Sequence, residues 1–284
     1  MTQRIGILGG SFDPVHRGHI ESAKALLEKL QLDRLLLVPV AQHAFGKKPL
    51  ASGEHRLNML EIGIADIPGL SVDDIELQRS GPSYSVDTLA HYRARFGERA
   101  VLCFVIGSDV LPALPRWHHW RRLPVLANFV VIKRAKDVGF AVSGKQQAQD
   151  SAAQRGIKPV DDIKAIDGSE AIEDIAALFE TVQDKIDKPA GQLLRVELPA
   201  MPFSSTSLRT FLQSMELQST DFQSKTLQGK KSSRRSRNTS QLPAGEHVHT
   251  TASAGEYLAE ALPAAVLEYI ESHGLYTANP TQQA

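Results

Sequence analysis

Short apolar runs separated by amphipathic stretches constrain the fold of this chain more than any other feature. Five such runs occur, at 5–8, 35–38, 101–106, 129–132 and 193–198. Largely continuous apolar runs of this length are typical of strands that are covered on both faces. Stretches at 19–32, 56–64 and 86–96 carry apolar residues at helical spacing. This alternation of strand and helix predicts an α/β fold, a doubly wound parallel sheet in a single domain.

The composition excludes several classes of protein. With 32 Lys and Arg against 32 Asp and Glu among 284 residues, the formal charge is zero, so no general attraction to nucleic acid or membranes is expected. A hydrophobic fraction of 42% excludes a wholly disordered chain. No apolar run approaches the roughly 20 residues that span a bilayer, and the N-terminus lacks a signal-peptide pattern, so we expect a cytoplasmic protein. Cys103 stands alone, which excludes an internal disulfide and favours a buried structural thiol over a reactive one.

Two stretches depart from the strand–helix pattern. Residues 136–191 are polar and acid-rich around one predicted helix at 172–186, which we expect to pack on the edge of the domain. Residues 215–255 are rich in Ser, Thr and Gln with a basic run, too polar to offset the entropy of ordering, so we predict disorder. A last helix is predicted at 263–273, with Gly274 as its C-terminal cap. The predicted domain comprises 1–214 and 256–276, with 136–191 inserted within it, 215–255 as a low-complexity insertion and 277–284 as a tail.

The segment 9–19, Gly-Gly-Ser-Phe-Asp-Pro-Val-His-Arg-Gly-His, lies between the first predicted strand and the first predicted helix. Gly9 and Gly10 allow backbone N–H groups to approach a ligand closely, and the helix presents unpaired N–H groups and its positive dipole end. His16 and His19 are three residues apart, so both rings can face one ligand, and an imidazole donates readily to phosphate oxygens. The segment predicts a phosphate site; the alternative is a glycine turn followed by two surface histidines.

A second anion site is predicted after the last apolar run. Ser204, Ser205 and Thr206 precede a helical pattern, so their hydroxyls and N–H groups would face an anion. Arg209, one turn further on, would add a bidentate fork. The alternative is an ordinary Ser/Thr helix cap with an exposed arginine. Asp109, which follows another apolar run, is a candidate to hold a ribose hydroxyl or else to cap a helix.

These segments resemble the HxGH nucleotidyltransferases, a superfamily with a Rossmann-like fold, and within it the bacterial nicotinate-nucleotide adenylyltransferases. The first motif of that family is Gly-Gly-Thr-Phe-Asp-Pro followed by His-x-Gly-His, and Ser11 here keeps the hydroxyl of the threonine. Four further segments are similar to family motifs in family order, at 81–89, 104–109, 114–120 and 203–209. The resemblance covers roughly 1–135 and 192–214 and resumes at about 256–276.

The resemblance implies transfer of an adenylyl group from ATP to nicotinate mononucleotide. The products are nicotinate adenine dinucleotide, an intermediate of NAD biosynthesis, and pyrophosphate. Mg²⁺ would arrive with ATP, and no metal site formed by the protein is expected. The implied catalytic residues are His16, His19 and Arg209. The implied ATP-binding residues are Gly9, Gly10, Ser11, Phe12, His16, His19, Gly107, Asp109, Ser204, Ser205, Thr206 and Arg209. The implied acceptor-binding residues are Tyr84, Ser85, Trp117, Arg134, His43 and Lys47.

The loop after the second predicted strand departs from the family. The family usually has Pro-Pro-His-Lys there, whereas this chain has Val-Ala-Gln-His-Ala-Phe-Gly-Lys-Lys at 40–48. His43, with Lys47 or Lys48, is the candidate to replace the missing contacts. A solvated basic loop is the alternative.

The tryptophan segment leaves a similar choice. Trp117 would stack on a flat heterocycle, or it is a core or edge residue. His118 and His119 are adjacent and cannot share one helical face, so they predict no metal pair.

Alternatives to this function stay open at this point. The same chemistry would serve nicotinamide mononucleotide or another phosphate acceptor, such as phosphopantetheine. A different class is a non-catalytic nucleotide-binding protein, against which intact His16, His19 and Arg209 argue. A scaffold whose basic run binds nucleic acid is a further alternative, although such a run is usually a solvated linker. The expected partners are therefore ATP and nicotinate mononucleotide, not nucleic acid or a membrane, and the oligomeric state is open, a homo-oligomer included.

Overall fold

The computed structural model describes residues 2–42, 48–133, 175, 177–182, 185–199, 201–213 and 251–277. The chain forms two compact units. The first, called the sheet unit, comprises Met1–Gly10, Glu21–Lys48 and Asp66–Met201 as far as they are described. The second, called the helical unit, comprises Ser11–Ile20, Pro49–Ala65 and the described part of Pro202–Ala284.

The sheet unit is built on one seven-stranded sheet in which every neighbouring pair is parallel. Its strands are β1 (Arg4–Gly10), β2 (Arg34–Pro39), β3 (Leu70–Val72), β4 (Val101–Gly107), β5 (Asn128–Lys133), β6 (Glu180–Val182) and β7 (Gln192–Glu197). The spatial order is β3-β2-β1-β4-β5-β7-β6, so the order reverses between β1 and β4. Ligands bind beyond the carboxyl ends of strands at such a reversal. The doubly wound parallel sheet predicted from the sequence is confirmed.

The central strands are buried because their side chains are apolar on both faces. Every residue of β4 is buried, and the helix α3 (Ser85–Phe96) packs Val86 and Leu89 into the cluster that contains Ile7, Phe104 and Phe129. Cys103 lies within β4 and is fully buried, and burial raises the pKa of its thiol to about 12. The prediction of a structural thiol is therefore confirmed.

Helices and 3-10 segments complete the sheet unit. The helix α1 (Arg17–Lys29) follows β1 along the chain; its first turn belongs to the helical unit and its residues from Glu21 onward to the sheet unit. The 3-10 segments Leu111–Arg116 and Trp120–Arg122 lead into α4 (Leu123–Leu126). The turn after β4 is closed by the N–H of Val110, which donates to the carbonyl of Gly107 at 3.0 Å.

The helical unit contains α2 (Gly53–Ile64), α5 (205–213), α6 (Thr251–Ala261) and α7 (Ala264–Ser272). Ser52 caps α2, since its Oγ accepts from the N–H of His55 at 3.2 Å. A Cβ at Gly63 would lie 3.4 Å from Val266, so α2 and α7 approach closely there. At the same contact, Nδ2 of Asn58 donates to the hydroxyl of Tyr269 at 3.0 Å.

One predicted helix is wrong over part of its length. Residues 175, 177 and 178 are helical, but 180–182 form β6, paired in parallel with β7, where the sequence predicted helix to 186. Thr181 and Val182 are β-branched residues that suit a strand when a neighbouring strand, here β7, is available for pairing. The periodicity of a local segment does not show whether such a neighbour exists, so the sequence pattern predicted a helix.

The other elements agree with the sequence within a few residues. The predicted helices at 56–64, 86–96 and 263–273 correspond to α2, α3 and α7, whereas α6 begins at Thr251, inside the segment predicted to be a low-complexity insertion. The domain boundaries themselves stay a prediction. None of the helices in the described ranges is long and apolar enough to cross a membrane.

Candidate active site

Two histidines face each other at the start of α1, within the helical unit. The ring centroids of His16 and His19 are 3.8 Å apart and the planes differ by 32°. The N–H of His16 donates to Nδ1 of His19 at 3.4 Å, which places the ring proton of a neutral His19 on Nε2. Nε2 is then the donor that can be offered to a phosphate oxygen. The predicted convergence of the two rings is present.

Phe12 also contacts His19. Its ring lies 5.1 Å from the imidazole in an edge-on arrangement, and its side chain is 2% exposed. Phe12 has a φ of 47°, in the left-handed region that a bulky residue rarely adopts. Such a conformation persists only where the surroundings determine it, and it is concentrated at binding sites.

The carboxylate of Asp13 is the centre of the contacts around this motif. Its Oδ2 accepts from the N–H of Leu50 at 2.8 Å, and its Oδ1 accepts from the N–H of Ala51 at 3.1 Å. The hydroxyl of Tyr276 donates to the same Oδ1 at 2.8 Å, and Nη1 of Arg209 lies 3.6 Å from Oδ2. A buried carboxylate is tolerated because donors and a cation surround it.

Arg209 projects from α5 toward the same motif. Its Nη1 donates to the backbone carbonyl of Asp13, and its Nη2 donates to Oγ1 of Thr206 at 3.3 Å. Its side chain is 16% exposed, so the alternative of an exposed arginine is wrong. Contacts at both ends of the guanidinium fix the plane of its fork, which suits recognition of a phosphate.

The hydroxyls at the start of α5 combine capping with contact to the first motif. Oγ of Ser204 accepts from the N–H of Ser207 at 3.1 Å, so Ser204 caps the helix as one alternative predicted. Oγ of Ser205 donates to the carbonyl of Pro14 at 3.0 Å. The two predicted anion motifs are therefore in contact within the helical unit, through Ser205 and Arg209.

Arg56 is a buried cation that the sequence did not identify as a site residue. It is 2% exposed; its Nη1 donates to the carbonyl of Ser11 at 2.9 Å and its Nε to that of Ala51 at 3.3 Å. Burial lowers the pKa of Arg56, and the charge of Asp13 opposes that shift. Arg56 occupies one position of the stripe that α2 buries, with Met59, Leu60 and Ile64. A charged residue inside an apolar stripe is the signal that could have found it.

Three of the implied acceptor residues, Tyr84, Ser85 and Trp117, lie in the sheet unit. The ring of Tyr84 stacks on that of His118 at 4.4 Å and 29°, and Ser85 begins α3. Trp117 is half-buried and meets Phe104 edge-on at 6.2 Å, so it packs partly against the core. Tyr84 also packs against the core, and its stacking on His118 was not predicted from the sequence.

Gly9, Gly10, Gly107 and Asp109 lie at or just after the carboxyl ends of β1 and β4, the two strands at which the order reverses. A Cβ at Gly9 would meet no atom of the described residues within 4 Å. The fold therefore does not require a glycine there. Asp109 is exposed, and the cap residue of the 3-10 segment that follows is Val110.

Three implied acceptor residues, His43, Lys47 and Arg134, lie outside the described residues. Within the described ranges, no three His, Cys, Asp or Glu side chains are grouped so that they could hold a metal ion.

Comparisons with known proteins identify the family. The cytidylyltransferase-like family model matches residues 7–211. A relative from Chromohalobacter salexigens, named "Probable nicotinate-nucleotide adenylyltransferase", is 38% identical over 211 residues, 74% of this chain and 85% of the relative. A relative of the same name from Pseudomonas syringae pv. tomato is 30% identical over 284 residues, 99% of this chain and 97% of the relative.

A solved structure shares the fold. Plasmodium falciparum nicotinic acid mononucleotide adenylyltransferase, complexed with NaAD, superposes with a TM-score of 0.57 at 17% identity, over 96% of this chain and 97% of that one. The family indicated by the sequence motifs is confirmed by the relatives. The chain belongs to the cytidylyltransferase-like family and, within it, to the nicotinate-nucleotide adenylyltransferases.

Proposed function

We propose that this protein transfers the adenylyl group of ATP to nicotinate mononucleotide, which gives nicotinate adenine dinucleotide and pyrophosphate. Family membership supports the reaction. The observation that carries the assignment of residues is the arrangement in the helical unit: His16 and His19 form a ring pair, the ring of His19 meets that of Phe12, and Nη1 of Arg209 donates to the carbonyl of Asp13. This arrangement offers several positively polarised donors to a polyphosphate.

The chemistry needs no protein base to generate the nucleophile. A phosphate monoester has a second pKa near 6 and is largely a dianion at pH 7. The acceptor phosphate attacks the α-phosphorus of ATP, the α–β phosphoanhydride bond breaks, and pyrophosphate leaves with the electron pair. Catalysis then consists of positioning and of stabilising charge on the transferring and leaving phosphates.

We assign these tasks to residues of the helical unit. The Nε2 of His19 and the guanidinium of Arg209 donate to phosphate oxygens, and His16 holds His19 in place as well as facing the same ligand. The N-terminal ends of α1 and α5 add backbone N–H groups and the positive ends of the helix dipoles. Mg²⁺ would be carried by ATP and keep most of its water ligands, which is its usual behaviour with nucleotides.

In the sheet unit, Tyr84, Ser85 and Trp117 are the residues we propose for the pyridine ring of the acceptor. A half-buried indole and a phenol ring can offer faces to a flat heterocycle. Gly107 and Asp109 stay candidates for ATP, and His43, Lys47 and Arg134 stay predictions for the acceptor. The cytoplasmic location also stays a prediction.

The test is pyrophosphate release from ATP and Mg²⁺ with nicotinate mononucleotide, nicotinamide mononucleotide and phosphopantetheine offered separately. We expect the highest kcat/KM with the nicotinate compound. A preference for either other compound would move the acceptor assignment, and no release with all three would refute the proposed reaction.

The matched variant is His19→Ala, for which we expect kcat to fall at least about a hundredfold, the scale of losing one preorganised donor at a charged transition state. His55→Ala is the control, because His55 lies in the same unit and contacts Tyr269 instead. We expect it to stay within about twofold of the parent. Near-native turnover in a folded His19→Ala protein would contradict the phosphate role.

A further inference from the structure

We propose that Tyr276 is a positioning residue for the proposed phosphate site: its hydroxyl fixes the carboxylate of Asp13, and Asp13 fixes the guanidinium of Arg209. The inference rests on the proposed function for the role of Arg209. Tyr276 itself is not placed near a reacting atom.

The end of α7 delivers Tyr276 to this position. The N–H of Leu275 donates to the carbonyl of Ile270 at 3.0 Å, and that of Gly274 to the carbonyl of Glu271 at 3.2 Å. With Gly274 at a φ of 58°, this is a Schellman motif, as the predicted glycine cap requires. Tyr276 then adopts a φ of 63° itself and is 1% exposed. A buried aromatic residue in a left-handed conformation persists only where its surroundings determine it.

The hydroxyl of Tyr276 has a defined role as a donor. Burial first, and then the charge of Asp13, raise the pKa of Tyr276 well above its ordinary value, so the phenol stays protonated. It donates to Oδ1 of Asp13 at 2.8 Å. The same Oδ1 accepts only more weakly from the N–H of Ala51, at 3.1 Å.

The position of the Asp13 carboxylate in turn determines where the guanidinium of Arg209 lies. The guanidinium contacts both the backbone carbonyl of Asp13 and, at 3.6 Å, its Oδ2. Without the phenol, the carboxylate can turn toward Arg209, whose Nη1 already lies 3.6 Å from Oδ2. A stronger pair with Asp13 would draw the fork away from a phosphate, so turnover should suffer more than acceptor binding.

The experiment compares two hydroxyl deletions on the same chain end. Tyr276→Phe removes the donor and keeps the buried ring. Tyr269→Phe is the matched control, because its hydroxyl is also hydrogen-bonded, to Asn58 and His55, in the same unit. We expect Tyr276→Phe to lower kcat about tenfold with the KM for nicotinate mononucleotide unchanged, and Tyr269→Phe to stay within about twofold in both. A kcat for Tyr276→Phe within twofold of the parent, or equal losses in the two variants, would overturn the proposal.

A double-mutant cycle tests the route through Arg209. In an Arg209→Lys background, adding Tyr276→Phe should cost less than about threefold in kcat, because the fork that it positions is gone. A full tenfold loss there would overturn the route. If the parent protein releases no pyrophosphate with any acceptor, the proposed function fails separately. The positioning role is then tested by measuring the binding of Mg-ATP by calorimetry. We expect a Kd at least about threefold higher for Tyr276→Phe than for the parent, and an unchanged Kd would refute the role.

Discussion

Replacement of Arg56 by methionine should lower stability sharply, because Arg56 is a buried cation with specific acceptors. Methionine keeps an unbranched stem in the apolar stripe of α2 but removes the donors to Ser11 and Ala51. The carbonyls of Ser11 and Ala51, part-buried and buried, would lose a charged partner, and Asp13 would lose one of its neighbouring positive charges. Removing one partner from a buried charged network typically costs about 3–5 kcal/mol. The buried methionine stem offsets part of that, so we expect a loss of about 3 kcal/mol.

The assay is urea denaturation at pH 7, followed by far-UV circular dichroism, with a thermal melt alongside. A loss of about 3 kcal/mol should lower Tm by about 6–12 °C in a chain of this size. Arg95→Met is the control: Nη1 of Arg95 pairs with Asp73 at 2.7 Å, but its side chain is 46% exposed. Exposed pairs contribute about 1 kcal/mol or less. A loss below about 1 kcal/mol for Arg56→Met, or one no larger than for Arg95→Met, would refute the reasoning.

Two further predictions concern the sheet unit. Burial raises the pKa of Glu76, whose Oε1 accepts from Thr88 at 2.8 Å, so the folded protein holds this proton more tightly than the unfolded chain. Stability attributable to Glu76 is therefore full below its ordinary pKa of 4.5 and is lost as pH rises through the raised value. In Glu76→Gln this loss of stability with rising pH should be absent. Urea midpoints of the variant measured from pH 4.5 to 7.5 that fall as steeply with pH as those of the parent would contradict the prediction. On β1, Gly6→Ala should lower the free energy of unfolding by about 1–3 kcal/mol, because the added Cβ would lie 2.7 Å from the side chain of Leu32. Gly9→Ala should instead leave Tm unchanged and raise the KM for ATP, because the space beside Gly9 is open. A lowered Tm for Gly9→Ala, or an unaltered KM, would argue against close approach of ATP to Gly9.

The sheet could be predicted because each central strand is recognisable from its own short stretch of sequence. The runs at 101–106 and 129–132 are apolar on both faces, which only a covered parallel strand explains well. The edge strands β3 and β6 could not be predicted, since three residues are too few to show a period. Their existence depends on β2 and β7, which offer an unpaired edge.

In the candidate site, too, the residues that could be predicted are those whose contacts are local in sequence. His16 and His19 could be predicted as a pair because both their spacing and their contact are local. The residues that fix this motif are distant in sequence: Asp13 is bound by groups 37, 38 and 263 positions away, at Leu50, Ala51 and Tyr276. No short window of the sequence contains Asp13 together with Leu50, Ala51 and Tyr276. Each of these residues, taken alone, therefore gives no sign that it belongs to the site.

A substrate-contacting residue and a positioning residue therefore leave different traces in a sequence. A group that must donate to phosphate is constrained in its chemical type, and His, Ser, Thr and Arg at a helix start are recognisable for that reason. A group that positions Asp13 needs only a donor at one point in space, which Leu50 and Ala51 meet with backbone N–H groups that any residue but proline supplies. Tyr276 differs from them, because it donates to Oδ1 through its side-chain hydroxyl. Among the groups around Asp13, Tyr276 is consequently a position at which a conservative substitution can separate positioning from folding.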